Sequence, residues 1–460
     1  MPNNSLTNNL SKAFPYVMGI AIPSVVIGPA LMGALFGFSI ILLACYPKRK
    51  KMLSFVQEAC SSPIAITLML MFIFWLISSI LSIDPARSLE KWLRTIVIVI
   101  FSLFLCGRFS DESKDRIIAI KTMLISTALT AVLLGTLMLG QKLYYQQIVI
   151  LGDWIKWSRE SNSICFFMHC DLFKYKDFAQ VLICLLPITV FALNSVTKTI
   201  RWLALASLPF VAWVAIYTET KSALLGVLCG TIFLVIWLLM KRMKSKYAIV
   251  AALLLLIAGI ASTISLIKSL PQDVELKNNP DGQREYHIPF NIIGEHRQII
   301  WSFSYDKFTQ SPWLGFGPDV SGDLPGAKEK IKGWHPTKYE KENPKWMKNK
   351  RQAWNQEYIP SHPHSWLFEL MVETGFLGLV AFLVTLSHFF YTIFKKPLSR
   401  MTLSLILLNG VYWSMGLVSF SFWSARWQIV YLALTALLLS TQKIRSKDDS
   451  KYPETKEPTY

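Results

Sequence analysis

One stretch combines side chains able to move a proton with the backbone freedom to place them. It reads His364-Ser365, then nine residues, then Gly375-Phe376-Leu377-Gly378, with Glu369 and Glu373 between. A neutral imidazole near pH 7 is suited to removing a proton from an attacking hydroxyl. The stretch follows a polar segment, 270–363, and opens a long apolar run, so the histidine is expected where water meets a membrane, at the top of a helix. At 100° per residue, Gly375 and Gly378 fall within about 40° of the His364 azimuth, and the two glutamates lie on the far stripe. A glycine face lets another helix come close. Carboxylates at that depth need protein partners, because an ionisable group below the interface is costly unless it faces protein or water; support of packing, or orientation of the helix through a buried pair, is the role expected of them.

The elements that must hold this stretch are membrane helices. Of 460 residues, 53% are hydrophobic, gathered in successive runs of near twenty, the length needed to cross roughly 30 Å of hydrocarbon as helix. The expected order begins with two short helices within 14–46, joined by a tight outer turn at Pro23 and Pro29. Further helices follow near 63–82, 92–107, 117–140, 178–194, 202–218, 222–240 and 247–268. Three more begin at His364, at 401 and at 428. The formal charge of +18 suggests nucleic acid at first sight, but much of it lies in short clusters between apolar runs, such as Lys48-Arg49-Lys50-Lys51 and Lys241-Arg242-Met243-Lys244-Ser245-Lys246, as topology signals do. The remainder gathers in 270–363, where phosphates or lipid headgroups are the fitting partners, and no basic, aromatic-interleaved module supports nucleic-acid binding. About twelve helices with both ends cytoplasmic satisfy every basic cluster, which places His364, Lys221 and segment 270–363 on the outer side.

The domain plan is therefore membrane helices one to nine over 1–269, a periplasmic loop domain over 270–363, helices ten to twelve over 364–442, and a polar cytoplasmic tail over 443–460. Residues 1–12 are polar and carry no cleavable signal of the usual kind. Cys45, Cys60, Cys106, Cys184 and Cys229 fall in or beside apolar runs and read as small hydrophobes, while Cys165 and Cys170 lie together in an outer segment where a disulfide is one option. Trp154-Ile155-Lys156-Trp157 suggests an interfacial piece. Arg87, Lys91, Arg94, Lys174 and Lys176 read as headgroup anchors, some of which could line a diphosphate site. No phosphate-binding Gly-x-x-x-x-Gly-Lys loop, Asp-x-Asp pair or His/Cys cluster occurs, so ATP coupling, nucleotide-sugar donors, metals and cofactors are not expected.

The His-Ser-x9-Gly-x-x-Gly spacing resembles the signature of the bacterial O-antigen ligases, within the O-antigen ligase/polymerase superfamily. Two further segments are similar to that family. In Thr218-Glu219-Thr220-Lys221-Ser222-Ala223-Leu224-Leu225, Lys221 stands where members have an arginine, keeping the charge but losing the planar fork that suits phosphate. In Gly294-Glu295-His296-Arg297-Gln298-Ile299-Ile300-Trp301, with Ser311-Pro312-Trp313-Leu314-Gly315-Phe316-Gly317 beyond it, Arg297 opens a short amphipathic helix with Ile300, Trp301 and Phe308 beneath. Asp177-Phe178-Ala179-Gln180 is a fainter match.

The resemblance implies an all-α, polytopic, GT-C-like fold in the bacterial inner membrane with its active site facing the periplasm. It also implies a donor glycan on undecaprenyl diphosphate, with Lys221 and Arg297 against the diphosphate. His364 is the implied base for a hydroxyl on lipid A–core, with inversion at the anomeric carbon and no metal. His362, two residues earlier, is a possible substitute for His364, though the downstream spacing fits His364 better. An O-antigen polymerase or a protein O-oligosaccharyltransferase would share this layout; a transporter or a membrane scaffold would not require the outer histidine and arginine.

Overall fold

The computed structural model describes residues 4–145, 172–191, 196–218, 220–243, 245–269, 295–329 and 357–440. Among them the regular structure is helical. In chain order the helices are α1 (Asn4–Ala21), α2 (Pro29–Ala44), α3 (Arg49–Cys60), α4 (Pro63–Ile80), α5 (Pro85–Asp111), α6 (Ser113–Tyr145), α7 (Leu172–Phe191), α8 (Lys198–Tyr217), α9 (Lys221–Arg242), α10 (Ser245–Ser269), α11 (Glu295–Gln310), α12 (Trp366–Lys395), α13 (Arg400–Gly416) and α14 (Ala425–Leu439). Short 3-10 turns stand at Pro23–Val26 and Ser321–Asp323.

Proline opens several helices, where its missing N–H would have had no partner: Pro29, Pro63 and Pro85 each stand at a first position. Asp84 caps α5 by accepting from the Arg87 amide at 3.1 Å, so this helix begins about two turns before the expected boundary near residue 92. Residues 85–91 are consequently helix rather than outer loop.

The chain is a polytopic helical membrane protein. Six helices, α4, α5, α6, α8, α9 and α12, are long and apolar enough to cross a bilayer, and a seventh span results if α2 and α3, bent by 109° at their junction, count as one. The expected number of about twelve is thus not reached among the described residues; α13 and α14 are apolar but only 17 and 15 residues long. Leu224, Leu228, Ile232, Val235 and Leu239 form an outward stripe along α9, each about half exposed or more, a surface suited to lipid rather than water. The opposite side of α9 meets α13 closely. A Cβ on Gly230 would come within 2.7 Å of Val411, and one on Gly410 within 2.8 Å of Gly230 Cα, the small-residue contact that substitutes for a hydrophobic driving force inside a membrane.

The helices share two ends of opposite character. At one, Lys48 pairs with Glu112 at 2.5 Å and Lys51 with Asp111 at 3.2 Å, the buried Arg108 pairs with Asp115, and Lys241 reaches the Lys396 carbonyl at 3.0 Å. At the other, α11 packs on α12, Ser88 in the first turn of α5 donates to the Pro318 carbonyl at 2.9 Å, and Gln180 of α7 joins Ser222 of α9 to Ser419 ahead of α14. There Arg426 pairs with Asp177 at 2.7 Å. Trp301, Ile300, Leu324 and Ile359 share one apolar cluster with Phe368 and Val372 of α12, so the described parts of 270–363 are packed onto α12.

Candidate functional site

The site is organised by a break in α12. The expectation of a continuous helix with a glycine face fails at Gly375, whose φ of 65° and ψ of −171° are not helical. In an unbroken helix the amides of Phe376 and Leu377 would donate to the carbonyls of Val372 and Glu373. Instead they donate to the carbonyls of Pro312 (2.7 Å) and Trp313 (3.1 Å), and the vacated carbonyls of Val372 and Glu373 accept from the amides of Phe316 (3.1 Å) and Gly317 (2.8 Å). The loop 312–317 thereby replaces one turn of helix hydrogen bonds, leaving none of these buried groups unpaired. Only glycine allows the approach. A Cβ on Gly315 would lie 2.4 Å from the Glu373 backbone, and one on Gly375 would lie 2.4 Å from that of Trp313. Gly378 does fit the expected role of close helix contact, since the Trp75 indole of α4 donates to its carbonyl at 3.3 Å.

The buried glutamates of α12 fasten two loops to this break. Glu373 accepts from the amides of Asp319 (2.7 Å) and Ser321 (3.0 Å) and from the indole N–H of Trp423. Glu369 accepts from the Ser421 hydroxyl (2.5 Å) and the Phe422 amide (2.6 Å). They act on loops rather than as a mutual pair. Three of the residues expected to anchor headgroups serve the same end: Arg87 pairs with Asp319 at 3.1 Å and with Asp323, Lys91 with Asp319 at 3.4 Å, and Arg94 donates to the Trp423 carbonyl at 2.6 Å.

His364 lies two residues before α12, with a left-handed φ of 54°. Its amide donates to Nδ1 of His362 at 3.0 Å, and the two rings stand 4.2 Å apart. Between them, the Pro363 carbonyl accepts from the Trp301 indole at 2.9 Å, and Trp301 stacks on Phe368 at 5.1 Å. Nδ1 of His364 faces the Ser419 carbonyl at 3.0 Å. A carbonyl can only accept, so Nδ1 carries the proton and Nε2 is the basic nitrogen of the neutral ring.

Arg297 sits in the first turn of α11, half-buried; of the apolar residues expected to pack on this helix, Ile300 and Trp301 are buried and Phe308 is partly buried against the same cluster. Burial pulls its guanidinium below the usual range, with no acid among the described residues offsetting this; an arginine so placed still carries its charge at neutral pH. That charge reaches the turn before α12. Burial first, then the charge His364 carries when protonated, then the charge of Arg297, push the His362 imidazole down to about 3.

Lys221 is exposed as the first residue of α9. The buried Gln180 links its neighbour to the histidine loop, for the Gln180 amide donates to the hydroxyls of Ser222 (2.7 Å) and Ser419 (2.5 Å), and the Ser419 carbonyl holds His364. The three residues singled out from sequence therefore stand at one end of the helix assembly: Arg297 by its charge on His362, and Lys221 through Ser222, Gln180 and Ser419. Ser419 and Trp423 had no sequence signal, because residues 417–424 read as helix and flank. Among the described residues no group of three or more His, Cys, Asp or Glu could hold a metal ion. Cys165, Cys170, Trp154 and Trp157 lie outside the described residues.

Below the loop 419–423 an apolar cavity of about 470 Å³ runs between α4, α5, α12, α13 and α14. It extends from Phe422 and Gln428 near the site to Leu439 and Lys396 at the basic end. Gln428 to Leu439 alone spans roughly 16 Å of helix, and Thr95 to Cys106 on α5 runs the same length beside it.

Residues 202–383 match a family model described as O-antigen ligase, an interval holding Lys221, Arg297 and His364. A protein of Rickettsia felis described as "Putative polysaccharide ligase" is 22% identical over 363 residues, covering 78% of this chain and 76% of that protein. A protein of the same description from Rickettsia bellii is 23% identical over 172 residues, 37% of each chain.

Proposed function

We propose that this chain, an O-antigen ligase-family protein by its match over residues 202–383, transfers a polysaccharide from undecaprenyl diphosphate to a sugar hydroxyl of lipid A–core at the periplasmic face of the inner membrane. The observation that carries the reading is the placement of His364: Nδ1–H is held by the Ser419 carbonyl at 3.0 Å, which leaves Nε2 as base, and a half-buried arginine without an acid partner among the described residues acts on the same turn.

The leaving group is a diphosphate, so the first requirement is positive charge where negative charge develops. Arg297 and Lys221 supply it, and fixed charges in a partly dry site act more strongly than in water. Nε2 of His364 takes the acceptor hydroxyl's proton as its oxygen bonds to the anomeric carbon. The bond from that carbon to the diphosphate oxygen breaks in line, inverting the centre and releasing undecaprenyl diphosphate. Such base catalysis is worth about 10²–10⁴-fold. The orientation is supported by charge, since the basic clusters gather at the end away from His364 and basic clusters mark the cytoplasmic side. The apolar cavity beneath the loop suits a length of prenyl chain.

The test gives purified protein a lipid-linked glycan together with lipid A–core. Glycan joined to lipid A–core is the expected product. Lengthened lipid-linked glycan would make the protein a polymerase instead, and no covalent product would overturn the enzyme reading.

A further inference from the structure

The geometry points to His362 as the positioning residue of this site: its Nδ1 closes the His362-Pro363-His364 turn and aims the His364 ring. The inference rests on the glycosyl-transfer reading above, in which His364 is the base. A left-handed φ of 54° is unfavourable for a residue with a side chain and persists where surrounding contacts impose it. The described contacts that do so are few and specific. The His364 amide donates to His362 Nδ1 at 3.0 Å, and the Trp301 indole donates to the intervening Pro363 carbonyl at 2.9 Å. Proline's fixed φ leaves the turn little freedom between these points. The ring of His364 is then set between its neighbour at 4.2 Å and the Ser419 carbonyl at 3.0 Å.

Accepting an amide proton requires a lone pair on Nδ1 of His362, so its own proton sits on Nε2. A protonated ring could not accept there. Burial and the charge of Arg297 disfavour that cation, and His364 adds to this whenever it is protonated, which keeps the acceptor in place while His364 gains and loses a proton. His362 is thus a fixed neutral support rather than a second base.

His362→Phe keeps an aromatic ring and removes the acceptor, whereas His362→Asn puts an amide oxygen close to where Nδ1 stood. With undecaprenyl diphosphate-linked glycan as donor and lipid A–core as acceptor, His362→Phe is expected to lower kcat about 10- to 100-fold, the scale of a misplaced catalytic group. KM for the donor should stay within about twofold, as for a group that adds nothing to ground-state binding. His362→Asn should recover most of the lost kcat, which a merely space-filling role would not predict. Full activity in His362→Phe, or an Asn variant no better than Phe, overturns the proposal. A readout independent of turnover is the ¹⁵N spectrum of histidine-labelled protein at pH 7, with residue 362 assigned by the signal missing in His362→Asn. An unprotonated, pyridine-type Nδ1 supports the proposal, and a protonated Nδ1 or an imidazolium overturns it. Should the wild-type protein join no glycan at all, the glycosyl-transfer reading fails while the spectrum still decides the role of Nδ1.

Discussion

Glu373 is the residue whose loss should be felt furthest from its own position. Its side chain is fully buried and takes three donors, the amides of Asp319 and Ser321 and the indole of Trp423. Glu373→Ala leaves all three facing a gap. A buried donor left without its acceptor costs about 1–3 kcal/mol, so releasing the two amides weakens the 319–321 anchor by about 2–6 kcal/mol, less whatever the loop recovers by turning toward water. The neighbouring stretch 312–317 has other attachments, because Phe316 and Gly317 bond to backbone carbonyls of α12 and the Phe316 carbonyl takes the Ile83 amide at 3.1 Å. Backbone hydrogen exchange resolves the two stretches. Exchange at Asp319 and Ser321 should quicken at least about tenfold, the factor corresponding to 1.4 kcal/mol, with far less change at 316 and 317. Glu373→Gln, which keeps one oxygen but turns an NH₂ toward one of the donors, should fall between. Unchanged exchange at 319 and 321 in Glu373→Ala would refute the reasoning that this carboxylate fastens the loop.

Further outcomes follow from the same contacts. Gly315→Ala and Gly375→Ala should each lower the thermal midpoint and abolish transfer, since either Cβ meets backbone at 2.4 Å from a left-handed φ; Gly33→Ala, with nothing within 4 Å, should do neither. Lys221→Arg should retain transfer and Lys221→Ala should not, measured as product formed at saturating donor, if the charge at the start of α9 contacts phosphate. Arg108→Ala should destabilise the protein by about 3–5 kcal/mol, because Asp115 is left half-buried without its partner and the guanidinium stacked 3.4 Å from the Tyr46 ring is lost. Denaturation of the purified protein in detergent checks this.

Helix positions were legible because apolar runs and basic clusters are local signals. The turn at Pro23 to Pro29 between α1 and α2, the turn between α8 and α9, and the start of α12 beside His364 all lie within a few residues of expectation, whereas α1 starts at Asn4, ten residues before the expected boundary. The break at Gly375 was not legible, since the apolar run continues through Phe376 to Ala381 and its periodicity reads straight across. What opens the helix is the loop 312–317, some sixty residues earlier, which only folding brings alongside. Distance explains the basic residues of α5 in the same way. Arg87, Lys91 and Arg94 read as headgroup anchors when seen alone, but Asp319, Asp323 and the Trp423 carbonyl, more than two hundred residues away, engage them. Glu369 and Glu373 are expected to support packing or to form a buried pair, but their partners are loop amides, the Ser421 hydroxyl and the Trp423 indole, which no sequence pattern announces. Gln180 left only the trace of Asp177-Phe178-Ala179-Gln180, and Ser419 left none. Among the described residues six of the expected helices do not pass as full-length spans, namely α1 and α2 near the chain's start, α7, α10, α13 and α14; α13 and α14 are apolar but only 17 and 15 residues long, and α2 is bent by 109° against α3.

The most direct measurement is transfer by His364→Ala protein supplied with undecaprenyl diphosphate-linked glycan and lipid A–core, beside wild type and with donor binding followed separately. The account predicts that the variant still binds donor but forms product at least about 100-fold more slowly, the lower bound for a lost general base. Product at a near wild-type rate would contradict it.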